Sequence, residues 1–248
     1  MDITSNIETV YLFLFGISIL ASFIDSIAGG GGLLTTPSML LVGINPLTVL
    51  GTNKFQSSFS TFTSSRNYYA NGYLTDIHRN KYFILSFIGS SVGTLMVSRL
   101  SDEILRTLIP ILLITVAVFF IINRQVKTDL SNYIVLLTPL IFLIGFYDGF
   151  FGPGTGSFFV MLFLVFKNQS LLESTATSKL LNFASNFAAF IIFAVQGFVM
   201  WELGLIMAVG GIGGAYLGSK SAIKVGDKLI RPLLVVVSIM LSIRILTS

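Results

Sequence analysis

The chain has 248 residues, of which 54% are hydrophobic and 10% charged; 15 Lys and Arg stand against 11 Asp and Glu, for a net charge of +4. Soluble domains carry about 25% charged residues, so this composition and a mean hydropathy of +0.88 exclude a soluble globular protein and predict an all-α polytopic membrane protein. The absence of cysteine excludes disulfides and thiolate metal sites, His78 beside Arg79 reads as a loop residue rather than a ligand, and the basic excess needs no nucleic acid, because Lys and Arg collect in membrane-flanking loops.

In chain order, the first nine residues hold Asp2 and Glu8 and no base, which argues against a cleaved signal peptide. Apolar runs follow at 10–28, 33–42, 55–69, 82–97, 104–122, 133–150, 158–166, 180–199, 203–217 and 229–246. Most approach the roughly 20 residues that a spanning helix needs, but the second and seventh reach about half of that. Each of these short runs follows a glycine cluster, Gly29 to Gly32 in one case and Gly152, Gly154 and Gly156 in the other. Each glycine costs a helix about 1 kcal/mol relative to alanine, so the preceding helix breaks there and forms a hairpin with a half-helix beginning at Leu33 or Phe158. Backbone groups freed by such a break are tolerated in a bilayer only against protein or a water-filled cavity. The glycines are therefore expected inside, within reach of a solute.

The two halves match. An offset of 123 pairs Asp25 with Asp148, Gly29 with Gly152 and Gly31 with Gly154. After a two-residue insertion an offset of 125 pairs Thr52 with Thr177, Lys54 with Lys179, Ser60 with Ser185, Gly89 with Gly214, Gly93 with Gly218, Asp102 with Asp227 and Arg106 with Arg231. This predicts one membrane domain over 1–248, made of two repeats at approximately 8–123 and 131–248, each of about five helical segments and 8 to 10 in total.

Loop charge orients the repeats. The loop after the third run carries Arg66, Arg79 and Lys81, while its equivalent in the second half holds Glu202 and no base. Lys220, Lys224, Lys228 and Arg231 precede the last run, whereas the equivalent loop has Arg99 and Arg106 offset by Asp102 and Glu103. Equivalent loops thus fall on opposite sides. Placing the richer ones in the cytoplasm with Arg124, Lys127, Lys167 and Lys179 leaves only Lys54, Arg99, Arg106 and Arg244 of the 15 bases outside. The repeats are then inverted and both termini face outward.

Inverted repeats with interrupted helices mark secondary transporters, whose substrate sits near the midplane between the halves. Half-helix N-termini favour an anion there, which nominates Gly29, Gly30, Gly31, Gly32, Gly152, Gly154 and Gly156 together with the hydroxyls of Thr35, Thr36, Thr155 and Ser157. Thr36 lies ahead of Pro37 in a place suited to a helix start. Gly89, Gly93, Gly214 and Gly218 read instead as close helix packing. Ser57, Ser60, Thr61 and Ser64 make a polar stripe at helical spacing, as do Asn182, Ser185 and Asn186. Matched Lys54 and Lys179 precede the stripes, either as point charges for an anion or as anchors at helix ends. Asp25 and Asp148 are candidate proton carriers, partners of those lysines, or caps on the glycine turns. No catalytic, metal or cofactor-binding constellation is present in the sequence.

The stretches DSIAGGGGLLTTPSML with GTNKF, and GPGTGSFF with ATSKL, resemble the sulfite exporter TauE/SafE family over essentially the whole chain. Pro153 and Thr155 replace glycines of the first copy. The resemblance implies a bacterial inner-membrane permease for sulfur-containing anions such as sulfite, thiosulfate or sulfonates. The expected partners are that anion and the lipid bilayer, with a homo-oligomer left open. The alternatives are an anion-conducting channel and, with less support, a membrane-embedded enzyme or assembly factor.

Overall fold

A computed structural model describes residues 7–122 and 129–226. Among these residues there are nine α-helices: α1 (Ile7–Ala28), α2 (Gly32–Leu41), α3 (Pro46–Ala70), α4 (Arg79–Val97), α5 (Asp102–Ile122), α6 (Leu137–Phe150), α7 (Thr155–Lys167), α8 (Leu171–Val195) and α9 (Trp201–Val225). A 3₁₀ turn at Ser131–Leu136 leads into α6. Four stretches among the described residues are long and apolar enough to cross a membrane: Ile7–Ala28, Ser131–Phe150, Leu171–Val195 and Trp201–Val225. The expected run at 229–246 lies outside the described residues, as do Arg124, Lys127, Lys228, Arg231 and Arg244.

The two short elements have 10 and 13 residues. At about 1.5 Å per residue neither spans a hydrocarbon core of about 30 Å. Both start earlier than their apolar runs, at Gly32 instead of Leu33 and at Thr155 instead of Phe158. Small residues fit a first helical turn because its N–H groups need no carbonyl partner within the helix. Thr36 consequently sits inside α2 rather than at its start, with Pro37 in the helix interior.

The third and eighth segments begin nine residues before their apolar runs, at Pro46 and Leu171. Pro46 supplies a pre-set φ at the first position of α3. At α8 a capping box closes the turn: Ser170 Oγ accepts from Glu173 N–H at 3.2 Å and Glu173 Oε2 accepts from Ser170 N–H at 3.0 Å. The polar residues that hid these starts are buried against protein. Lys54 and Lys179 therefore lie within helices, 1% and 0% exposed, and not in flanking loops as the charge count had them. Removing both leaves ten bases against three, so the loop asymmetry survives.

The halves interlock. α1 packs on α9 and α6 on α4, while α3 and α8 lie against each other, α3 also on α9 and α8 on α4. These contacts are close because glycines line them. A Cβ on Gly145 would lie 2.6 Å from the Ser86 carbonyl, Gly89 and Gly93 press on the backbone of Phe142 and Phe146, and Gly214 and Gly218 press on Ile19 and Phe23. At one end, Asp76 in the α3–α4 loop accepts from Lys167 Nζ at 3.2 Å and from His78 N–H at 2.8 Å, tying that loop to the end of α7.

Candidate functional site

Each hairpin turns on left-handed glycines. φ is +83° at Gly29 and +95° at Gly30 in the first break, and +99° at Gly152 and +88° at Gly154 in the second; only glycine adopts such angles cheaply. The two breaks touch. Ser157 Oγ donates to the Ala28 carbonyl at 2.8 Å, and a Cβ on Gly156 would stand 3.0 Å from Gly29 Cα. The half-helices leave this contact as tight turns, with the N–H groups of Leu33 and Leu34 bonded to Gly30 and Gly31 and those of Thr155 and Ser157 bonded to Gly152 and Gly154.

The central helices bring two ammonium groups to the breaks. Lys54 Nζ on α3 lies 2.9 Å from Asp148 Oδ1, and Lys179 Nζ on α8 lies 2.8 Å from Asp25 Oδ2. Both pairs cross between the halves. A lone charge at this depth would carry a large desolvation cost, which a close partner offsets. The glycines also make room for the amines: a Cβ on Gly152 would come within 2.7 Å of Lys54 Nζ, and one on Gly156 within 3.1 Å of Lys179 Nζ. Asp25 additionally caps the first turn, its Oδ1 accepting from Gly31 N–H at 3.0 Å.

Around the pairs lies a polar cavity with about 400 Å³ of atom-free space, solvent included. Its wall includes Asp25, Gly30, Gly31, Gly32, Thr35, Lys54, Ser57, Asp148, Gly152, Gly154, Thr155, Gly156, Asn182 and Asn186. Four expected residues are not on it. Gly29 and Ser157 form the contact between the breaks, Lys179 reaches the cavity through Asp25, and Thr36 is buried with an Oγ1 that has no partner among the described residues. The wall also holds Ala21, Ser22, Asn53, Gln56, Ser60 and Thr61. Asn53, Gln56, Ser57, Ser60 and Thr61 follow helical spacing, so extending the α3 stripe one turn back past Lys54 would have found the first two. Thr35 Oγ1 donates to Asn53 Oδ1 at 2.6 Å, and Gln56 Nε2 to Ser22 Oγ at 3.2 Å, which binds α2, α3 and α1 into one wall.

Buried, paired charges on a cavity bounded by two helix breaks suit reversible binding of a small charged solute. The family model described as Sulfite exporter TauE/SafE matches residues 14–245. The chain belongs to the sulfite exporter TauE/SafE family. It is 42% identical over 242 residues to "Probable membrane transporter protein ORF9" of Sinorhizobium sp, covering 95% of this chain and 92% of that protein. It is 37% identical over 238 residues to "Probable membrane transporter protein YfcA" of Escherichia coli strain K12, with 94% and 88% covered. The figure for "Probable membrane transporter protein YdhB" of Bacillus subtilis strain 168 is 26% over 221 residues, with 85% and 88% covered. No solved structure matches the chain. Membership of the TauE/SafE family and the four apolar spans make this a multi-pass membrane transporter.

Proposed function

We propose that the protein is a secondary transporter of small sulfur-containing anions such as sulfite, thiosulfate or sulfonates, working by alternating access in a bacterial inner membrane with both termini outside. The observation that carries this reading is the pair of crossed Lys–Asp bridges on one polar cavity, where two half-helices begin. The lysines supply positive charge at depth, the positive dipole ends of α2 and α7 add to it, and the hydroxyl and amide side chains of α3 and α8 replace hydration. Because the Lys54–Asp148 bridge draws one member from each half, movement of one half against the other remakes the site there, as alternating access requires. The sulfur chemistry rests on the family's name. Uptake and efflux of labelled sulfite, thiosulfate and methanesulfonate in proteoliposomes, with and without a pH gradient, test it. Saturable flux of at least one of these anions, driven by the gradient, is expected. Flux that neither saturates nor responds to a gradient would favour a channel.

A further inference from the structure

The two Lys–Asp bridges are equivalent in sequence and unequal in structure. Asp25 engages both oxygens, one with Lys179 Nζ at 2.8 Å and one with Gly31 N–H at 3.0 Å. Asp148 engages one. Its Oδ1 lies 2.9 Å from Lys54 Nζ, while Oδ2, on a residue only 1% exposed, has no hydrogen-bond partner among the described residues. The side chain lines the cavity.

The difference traces to one residue. The first break takes its second left-handed angle at Gly30; the second copy has Pro153 there, and proline's ring holds φ near −65°. The left-handed position moves on to Gly154, at φ +88° and ψ −8°. Gly31, the equivalent residue in the first copy, stays right-handed at φ −54° and ψ −37° and aims its N–H at Asp25. In the second copy the reversed peptide gives Asp148 no such amide.

Resting on the anion-transport reading, we propose that Asp148 is the proton-binding residue of the cycle, that Lys54 exchanges Asp148 for the transported anion, and that Asp25 and Lys179 form a standing structural pair. Asp148 Oδ2 takes one proton from the aqueous phase and the carboxyl becomes neutral. Lys54 keeps its proton and turns its charge to one negative charge of the anion. Net charge at the pair is zero before and after, so one proton moves with each monoanion and release reverses both steps. The charged groups that face Asp148 are few. Lys54 comes from α3 and Asp25, held by Lys179 of α8, from α1; on α6 itself, Tyr147 donates its hydroxyl to the Pro153 carbonyl at 2.6 Å. α4 presents Ser90 and Thr94 near Gly149, and α7 presents Thr155.

Infrared difference spectroscopy on the purified protein in lipid nanodiscs separates the two acids. On acidification in chloride buffer a buried carboxylic-acid band is expected in the wild type, lost in Asp148→Asn and retained in Asp25→Asn. Lys54→Met should show the band already at neutral pH, because the carboxylate has lost its counter-charge. Should Asp25→Asn fail to fold, Asp148→Asn and Lys54→Met still decide the assignment, since the amide oxygen introduced by Asp148→Asn can go on accepting from Lys54. A band that survives Asp148→Asn, or is unaltered in Lys54→Met, overturns the proposal. Methanesulfonate, a monoanion, added near neutral pH should raise the wild-type band. If acid assigns the band to Asp148 but methanesulfonate leaves it unchanged, the proton site stands and co-binding of this anion is refuted.

Discussion

Lys179 Nζ donates to Asp25 Oδ2 at 2.8 Å across 154 positions of sequence, joining α8 of one half to the end of α1 in the other. Lys54 and Asp148 make the reciprocal bond, so each lysine meets the acid of the other half. The centre is thus held by charge exchanged between halves.

Neutralising one end of the Asp25 bridge leaves the other charge without its counter-charge, and for Asp25 only the Gly31 N–H remains among its described partners. Lys179→Met is expected to cost about 3–5 kcal/mol, towards the lower figure because the Asp25 side chain is 15% exposed. The double variant Asp25→Asn/Lys179→Met should recover much of this. Unfolding midpoints in mild detergent check it, and a double variant no more stable than Lys179→Met would contradict the argument.

Lys54 bears on binding rather than on folding alone. Removing its charge deletes a charge-assisted interaction of about 1.5–3 kcal/mol, so Lys54→Met should weaken anion affinity about ten- to a hundredfold. Lys54→Arg should restore only part, since Gly152 leaves little room for a larger head group. Transport KM across an anion series measures this; an unchanged KM in Lys54→Met removes the residue from the site.

Gly152→Ala combines two effects that a control can separate. Both Gly152 at φ +99° and Gly43 at φ +85° resist a side chain, by about 1–2 kcal/mol. A Cβ at Gly43 meets open space, whereas at Gly152 it would press on Lys54 Nζ at 2.7 Å. Equal backbone strain with unequal transport is therefore expected: activity kept in Gly43→Ala and lost in Gly152→Ala, with both proteins present in the membrane. Parallel losses would reduce Gly152 to a backbone role.

The opposite charge of equivalent loops makes a topology prediction. A reporter after Thr75, between α3 and α4, should read cytoplasmic, and one after Met200, between α8 and α9, should read external. Finding both on one side would remove the inversion of the repeats.

Much of this was legible in the chain. Composition and run length determined a polytopic helical protein, because hydrocarbon admits little else, and four glycines in a row determined a helix break whatever surrounds it. The matched Asp, Gly and Lys positions, together with the hydroxyl and amide residues beside them, named most of the cavity wall, since polar residues at helical spacing in an apolar segment must face protein or water. Helix starts were less legible: Asn53 and Lys54 look like loop residues until a partner is known, whereas the Ser170–Glu173 capping box marks the start of α8 in the sequence itself. What only the tertiary structure decided is which acid meets which base. Lys54 stands as well placed in sequence for Asp25 as for Asp148, and pairing across halves follows from how α3 and α8 cross. The unequal surroundings of the two acids needed both levels. Pro153 is plain in the sequence, but that it moves a left-handed peptide by one residue, and so leaves Asp148 without the amide that Asp25 receives, is a matter of backbone direction in three dimensions.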